Sequence, residues 1–167
     1  MIRAPRLCAV ALAAGLPAVT PALSQELLLD RILARVNDQA ITLLDVRAAV
    51  ALGIVDAPSG ATRGLIDRQL MLAEVARFSP PEPDPQALAR AVSALEGKPG
   101  SPAQLEALLQ TTGLNRTRLS EMARDTLRIQ AYLNQRFGAS VIDRVTVDQW
   151  VRDLRRRADI RCQIPGC

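Results

Sequence analysis

The residues able to do chemistry in this 167-residue chain are few, and histidine is not among them. Its absence removes the commonest general base and the commonest metal ligand at neutral pH. Cys162 and Cys167 bracket Gln-Ile-Pro-Gly. In an oxidising compartment, an even pair of cysteines across a Pro-Gly turn points to a disulfide, with two free thiols as the alternative. Closing so short a loop stabilises by about 2 kcal/mol at most on the chain-entropy model. The spacing is not C-x-x-C, so the pair reads as a staple at the terminus rather than a redox centre.

Ser59, Ser101 and Ser120 read as loop or capping residues, and the carboxylates scatter along helix surfaces at solvating positions. The isolated glycines match neither a P-loop nor a dinucleotide fingerprint, and no cluster of Cys, His and Asp has ligand spacing. These residues imply no catalytic group, no cofactor and no metal. The expectation is a protein that binds and is not an enzyme.

Composition narrows the partners. Residues 1–24 have the layout of a secretion signal: Arg3 and Arg6, an apolar stretch from Leu7 to Leu16 too short to span a bilayer, then Ala22-Leu23-Ser24 as a cleavage site. Cys8 lies at the front of the apolar run, the wrong place for a lipoprotein anchor. Removing the signal takes the formal net charge from +4 to +2 and leaves residues 25–167 as one expected domain. With two Phe, one Tyr and one Trp, there is no platform for stacking bases. Nucleic acid is therefore not an expected partner, nor is stable membrane insertion once the signal is gone.

The elements that would position any binding surface are mostly helical. Ile32, Ala34 and Val36 alternate with Leu33 and Arg35, which is the pattern of a half-buried strand. Asn37-Asp38 supplies the turn and Ala40-Ile41 the returning strand. Thr42 and Asp45 then sit at the spacing of a capping box. The helix that follows carries Leu43, Val46, Val50 and Ile54 on or near one face.

A second helix over about Ala61 to Phe78 carries Leu65, Ile66, Leu70, Met71, Leu72, Val75 and Ala76, a stripe too wide for one simple contact. Four prolines between Ser79 and Pro85 form a stiff connector. Asp84-Pro85 opens a helix bearing Leu88, Val92 and Leu95. Ser101, Pro102 and Gln104 open another, with Leu105, Leu108 and Leu109 inward and Gly113 at its end. Asn115 starts the longest helix, which runs to Phe137 with Leu119, Met122, Ile129, Leu133 and Phe137 as its stripe.

Thr146 and Gln149 have the spacing of a box before a last helix, whose Arg155-Arg156-Arg157 reads as a solvated C-terminal end. Residues 158–164 alternate again as a strand, the candidate partner for the opening hairpin. The fold class expected is mainly α, with a small N-terminal β-hairpin joined by a C-terminal strand.

Three stretches carry a resemblance. "LDRILARVNDQAITLLDV" (Leu29 to Val46), "GLIDRQLMLAEVARF" (Gly64 to Phe78) and "LLQTTGLNRTRLSEMARDTLRIQAYLNQRF" (Leu108 to Phe137) resemble the N-terminal, trigger-factor-like region of SurA-type periplasmic chaperones. That family has V-A-x-V-N before I-T-x-x-D-V, then L-I-x-x-x-L-x-x-x-x-A, then a long helix after a G-L turn, here Gly113-Leu114. The resemblance implies a periplasmic chaperone core that binds unfolded or extended polypeptides, outer-membrane protein precursors among them. A dedicated adaptor that uses the same groove for one partner is the alternative.

The chain departs from the family at Gly138 to Val145, which stand where a parvulin-type prolyl isomerase domain is usually inserted. Isomerase activity is therefore not expected. The surplus apolar surface of the second helix makes Leu65, Leu70, Met71 and Leu72 the candidate peptide-binding residues, since a holding chaperone needs more exposed apolar area than a monomer ordinarily shows. A second copy of the chain is a further candidate partner.

Overall fold

The computed structural model describes residues 30–56, 60–78, 80–138, 143–165 and 167. The expected export signal at 1–24 and Ser59 lie outside them.

The protein is mainly helical, with one small antiparallel sheet. Strand β1 (Ile32–Val36) turns through Asn37-Asp38 into β2 (Gln39–Thr42). Asn37 takes a φ of 52°, a left-handed conformation that asparagine tolerates better than most residues. Strand β3 (Ile160–Cys162) pairs with the other side of β1, in strand order β2-β1-β3. Val36 faces Ile160 and Ala34 faces Cys162. The Asn37 N–H donates to the Asp159 carbonyl at 2.7 Å, and the Asp159 N–H to Asn37 Oδ1 at 3.3 Å, so the turn itself clasps the C-terminal segment.

One detail of β1 departs from simple alternation. Leu33 is buried at 3% exposure instead of sharing the solvent face of Arg35. The pairing with β2 slips between Ile32 and Ala34, and a bulge of this kind turns a side chain out of the regular alternation.

Six helices follow among the described residues: α1 (Leu43–Ala51), α2 (Ala61–Arg77), α3 (Pro85–Glu96), α4 (Pro102–Thr112), α5 (Arg116–Phe137) and α6 (Arg144–Arg157). Their starts are chemically explicit. Thr42 and Asp45 form a reciprocal capping box at α1. Asp84, Ser101 and Asn115 each accept a first-turn backbone N–H at α3, α4 and α5. Ser120 lies inside α5, not at a loop or a cap. The start of α6 differs from the Thr146 box: Asp143 caps it, accepting from the Val145 N–H at 3.2 Å and from the Thr146 hydroxyl at 3.4 Å. An aspartate upstream is the stronger cap, so the helix gains residues at its front.

Helix α2 contacts β1, β2, α1, α5 and α6, which accounts for its wide apolar stripe. It buries Ala61, Ile66, Leu70 and Val75, while Ala76 is exposed. Ile66, Leu70 and Val75 meet Ala34, Val36 and Ile41 from the sheet, and Trp150, Val151 and Leu154 from α6, in one core. Helix α1 buries Ala48 and Ala49, with Leu52 just beyond its end, and leaves Val46 and Val50 half-buried. Small side chains on this face permit close approach to α2 and α4, both of which α1 contacts. Ile54 falls after the helix ends.

The four aromatic side chains of the sequence form one row. Phe78 lies 5.3 Å from Tyr132, Tyr132 5.6 Å from Trp150, and Phe137 5.9 Å from Trp150, between ring centres. These separations are those of favourable tilted and edge contacts. Tyr132 is a core residue that apolar periodicity alone did not select. The arginine run is not simply solvated either: Arg155 Nε pairs with Asp67 Oδ1 of α2 at 2.5 Å, and its Nη2 donates to the Arg63 carbonyl at 3.2 Å. Arg156 pairs with Asp153 on its own helix.

Cys162 and Cys167 are disulfide-bonded, with Cα atoms 6.0 Å apart. The bond closes a loop beyond β3 and does not itself join β3 to β1. Two perturbations should therefore differ. Deleting residues 158–167 removes β3 and the Asn37–Asp159 clasp, and should lower unfolding free energy by at least about 3 kcal/mol across the molecule. Reducing the disulfide should cost about 2 kcal/mol at most. Denaturant titrations followed by far-ultraviolet circular dichroism measure both.

Candidate functional site

Helix α2 borders three depressions, of which the smallest lies towards α6 and the other two towards α5. The first, about 390 Å³, lies between β2, α2 and α5. Leu65, Arg68 and Leu72 come from α2 at helical spacing; Met122, Asp125 and Arg128 come from α5 in the same way. Gln39, Ala40 and Ile41 of β2 close the third side, and Arg118 stands on the α5 wall. The second depression, about 580 Å³, lies between the segment after α1 and helices α2 and α5, with Val55, Gly64, Met71, Ile129 and Leu133 among its walls. Gly64 lets that segment come close: a Cβ there would sit 3.1 Å from Val55.

The sequence-derived candidates separate on this geometry. Leu65 and Leu72 line the first groove, half-buried, and Met71 lines the second. Leu70 points elsewhere. It is 4% exposed and belongs to the core, because the neighbour contacts of α2 consume the central line of its stripe. Periodicity shows how wide an apolar face is, but not which of its lines is covered. Cys162 and Cys167 are among the residues of neither groove.

Strand β2 adds a main-chain feature. Leu33 accepts from Gln163 and Arg35 pairs with Arg161, so the odd residues of β1 bond towards β3 and Ala34 and Val36 towards β2. Gln39 and Ile41 therefore bond inward to β1. The N–H and C=O of Ala40 face the opposite way, along the free edge of the sheet beside the groove. Ala40 is exposed.

The charged residues of the first groove were not selectable from the sequence, where each looks like an ordinary surface residue. Arg68 is mostly buried; its Nη2 donates to the Met122 carbonyl at 2.9 Å. It makes no ion pair among the described residues. Burial, opposed by the Asp125 charge, pulls its pKa below the usual arginine value. Among the described residues Asp125 forms no ion pair either. Burial pushes its pKa up, and the nearby Arg68, Arg118 and Arg128 only partly offset that. The Nε of Arg128 is buried without a hydrogen-bond partner among the described residues. Arg118 is held by Glu121 at 3.0 Å, and Asp45 by the Thr42 cap. The site thus holds guanidinium donors in a partly dry, apolar-walled cleft with spare hydrogen-bonding capacity.

Among the described residues, no three of His, Cys, Asp and Glu come together as metal ligands, and no helix is long and apolar enough to cross a membrane. No protein-family model, curated protein or solved structure matches the chain.

The raised pKa of Asp125 carries a sign. Its ionisation is disfavoured in the folded state, so the neutral form contributes stability below the ordinary aspartate range, and that stability is lost as pH rises through the folded value. Asp125→Asn should therefore be more stable than the parent at pH 7, with the difference vanishing near pH 4 and below. Urea unfolding midpoints at the two pH values check this.

Proposed function

We propose that the protein is an exported, non-enzymatic chaperone-like binder of unfolded or extended polypeptide, acting in the periplasm, with outer-membrane protein precursors among its clients. The observation that carries this reading is the free edge of β2 at Ala40, set beside a cleft walled by Leu65, Leu72 and Met122. An extended chain can add to such an edge through its main chain, independent of its sequence, while side chains settle on adaptable apolar walls. That combination suits a binder of many clients.

The resemblance of Leu29–Val46, Gly64–Phe78 and Leu108–Phe137 to SurA-type chaperones supports the same reading. Against isomerisation, α5 and α6 are joined by residues 138–143 alone, which leaves no space there for an inserted catalytic domain. Holding a chain needs no catalytic group.

The test is promiscuity. The protein should suppress aggregation of several unrelated denatured outer-membrane proteins at near-stoichiometric ratios, followed by light scattering. Absence of suppression at large excess would refute the reading, and suppression confined to one partner would favour a dedicated adaptor. A prolyl isomerase assay should stay at background. Photo-crosslinkers placed at Leu65 and Leu72 should capture client, whereas one at Leu70 should stay silent.

A further inference from the structure

The first groove has a chemical preference that a general binder of unfolded chains does not require. Resting on the function proposed above, we propose that it selects extended segments carrying an interior aspartate or glutamate, whose carboxylate is received by Arg68 and Arg128.

Three observations converge on this. Arg68 is mostly buried in the cleft, yet its one hydrogen bond goes to the Met122 carbonyl and it makes no ion pair among the described residues. Arg128, one turn of α5 beyond Asp125, holds its Nε buried and without a partner. Asp125 lines the same cleft and feels both guanidinium charges, but among the described residues it forms no ion pair, so the resident negative charge is poorly paired. Guanidinium groups recognise carboxylates through paired, charge-assisted hydrogen bonds, and a cleft sheltered from water strengthens them. A ligand carboxylate entering the cleft would pair with the Arg68 and Arg128 guanidinium groups that line it, through donors other than the buried Arg128 Nε.

The carboxylate is assigned to a side chain and not to a chain end. Ala40 sits within β2, so a segment that pairs with its N–H and C=O continues past it in both directions. The apolar neighbours Leu65, Leu72 and Met122 require aliphatic side chains alongside the acid. The preferred segment is therefore extended and aliphatic, with one acidic residue.

The experiment uses the full chain and two short, fluorophore-labelled peptides of alternating valine and serine. Both ends are blocked, and the peptides differ only in a central glutamate or glutamine. By fluorescence anisotropy the glutamate peptide should bind about tenfold more tightly, with the advantage shrinking as sodium chloride rises. Arg68→Gln and Arg128→Gln should each reduce the advantage severalfold. Asp125→Asn should increase it, because the competing resident charge is gone; a gain of affinity cannot come from misfolding.

Equal binding of the two peptides would overturn the inference, as would an advantage that survives both arginine substitutions, or no peptide binding in a protein that still suppresses aggregation. Loss of aggregation suppression by the parent protein is a separate result, which overturns the underlying function as well.

Discussion

Strand β1 has both edges filled, and the rest of the structure depends on how. One edge is paired by the strand that follows it in sequence. The other is paired by a segment whose contact with Asn37 spans 122 residues. A hairpin of this size has no independent stability in water, and a three-residue strand has less. Together they form a sheet with one face, built from Ala34, Val36 and Ile41, that α2 and α6 can cover. Once β3 is in register, α6 is delivered against α2, where Trp150, Val151 and Leu154 enter the core and Arg155 reaches Asp67. The helical body is thus closed by a contact that involves little sheet.

The same arrangement explains why a cleft survives beside so apolar a helix. Helix α2 touches five other elements, but they surround it unevenly: the line through Ile66, Leu70 and Val75 is covered, whereas Leu65 and Leu72 on one flank and Met71 on the other are only half-buried. On the β2 side the gap is lined by charge. Arg68 and Asp125 project from facing helices into a space where neither is fully hydrated and neither is properly paired. Apolar packing could have filled that space more stably, since incompletely satisfied buried charges are costly. Their retention sets a chemical character on what would otherwise be a defect of packing.

Much of the frame was legible from local chemistry. Thr42, Asp84, Ser101 and Asn115 announce helix starts because a cap needs only its own next turn, and Asn37 announces the hairpin because few residues accept its backbone conformation. What local patterns could not deliver depends on neighbours far away in sequence. Leu33 reads as solvent-facing until a bulge turns it inward. Ala48 and Ala49 look less like a core than Val46 and Val50 until close approach of another helix makes small side chains the better fit. Tyr132 looks amphipathic, and is buried where two other aromatics, Phe78 and Trp150, meet it. The groove charges were the least legible: Arg68 and Asp125 meet across one groove but lie far apart in sequence, with α3 and α4 between their helices, and each is unremarkable on its own helix.

The gathering of every aromatic ring at the α6 end has an optical corollary. Trp150 is the only tryptophan, 6% exposed and in contact with Tyr132 and Phe137, so intrinsic fluorescence reports on the docking of α6 and on little else. No aromatic residue lines either depression between α2 and α5. The binding face is spectroscopically dark, and a tryptophan carried by a bound chain would be read there against a silent background.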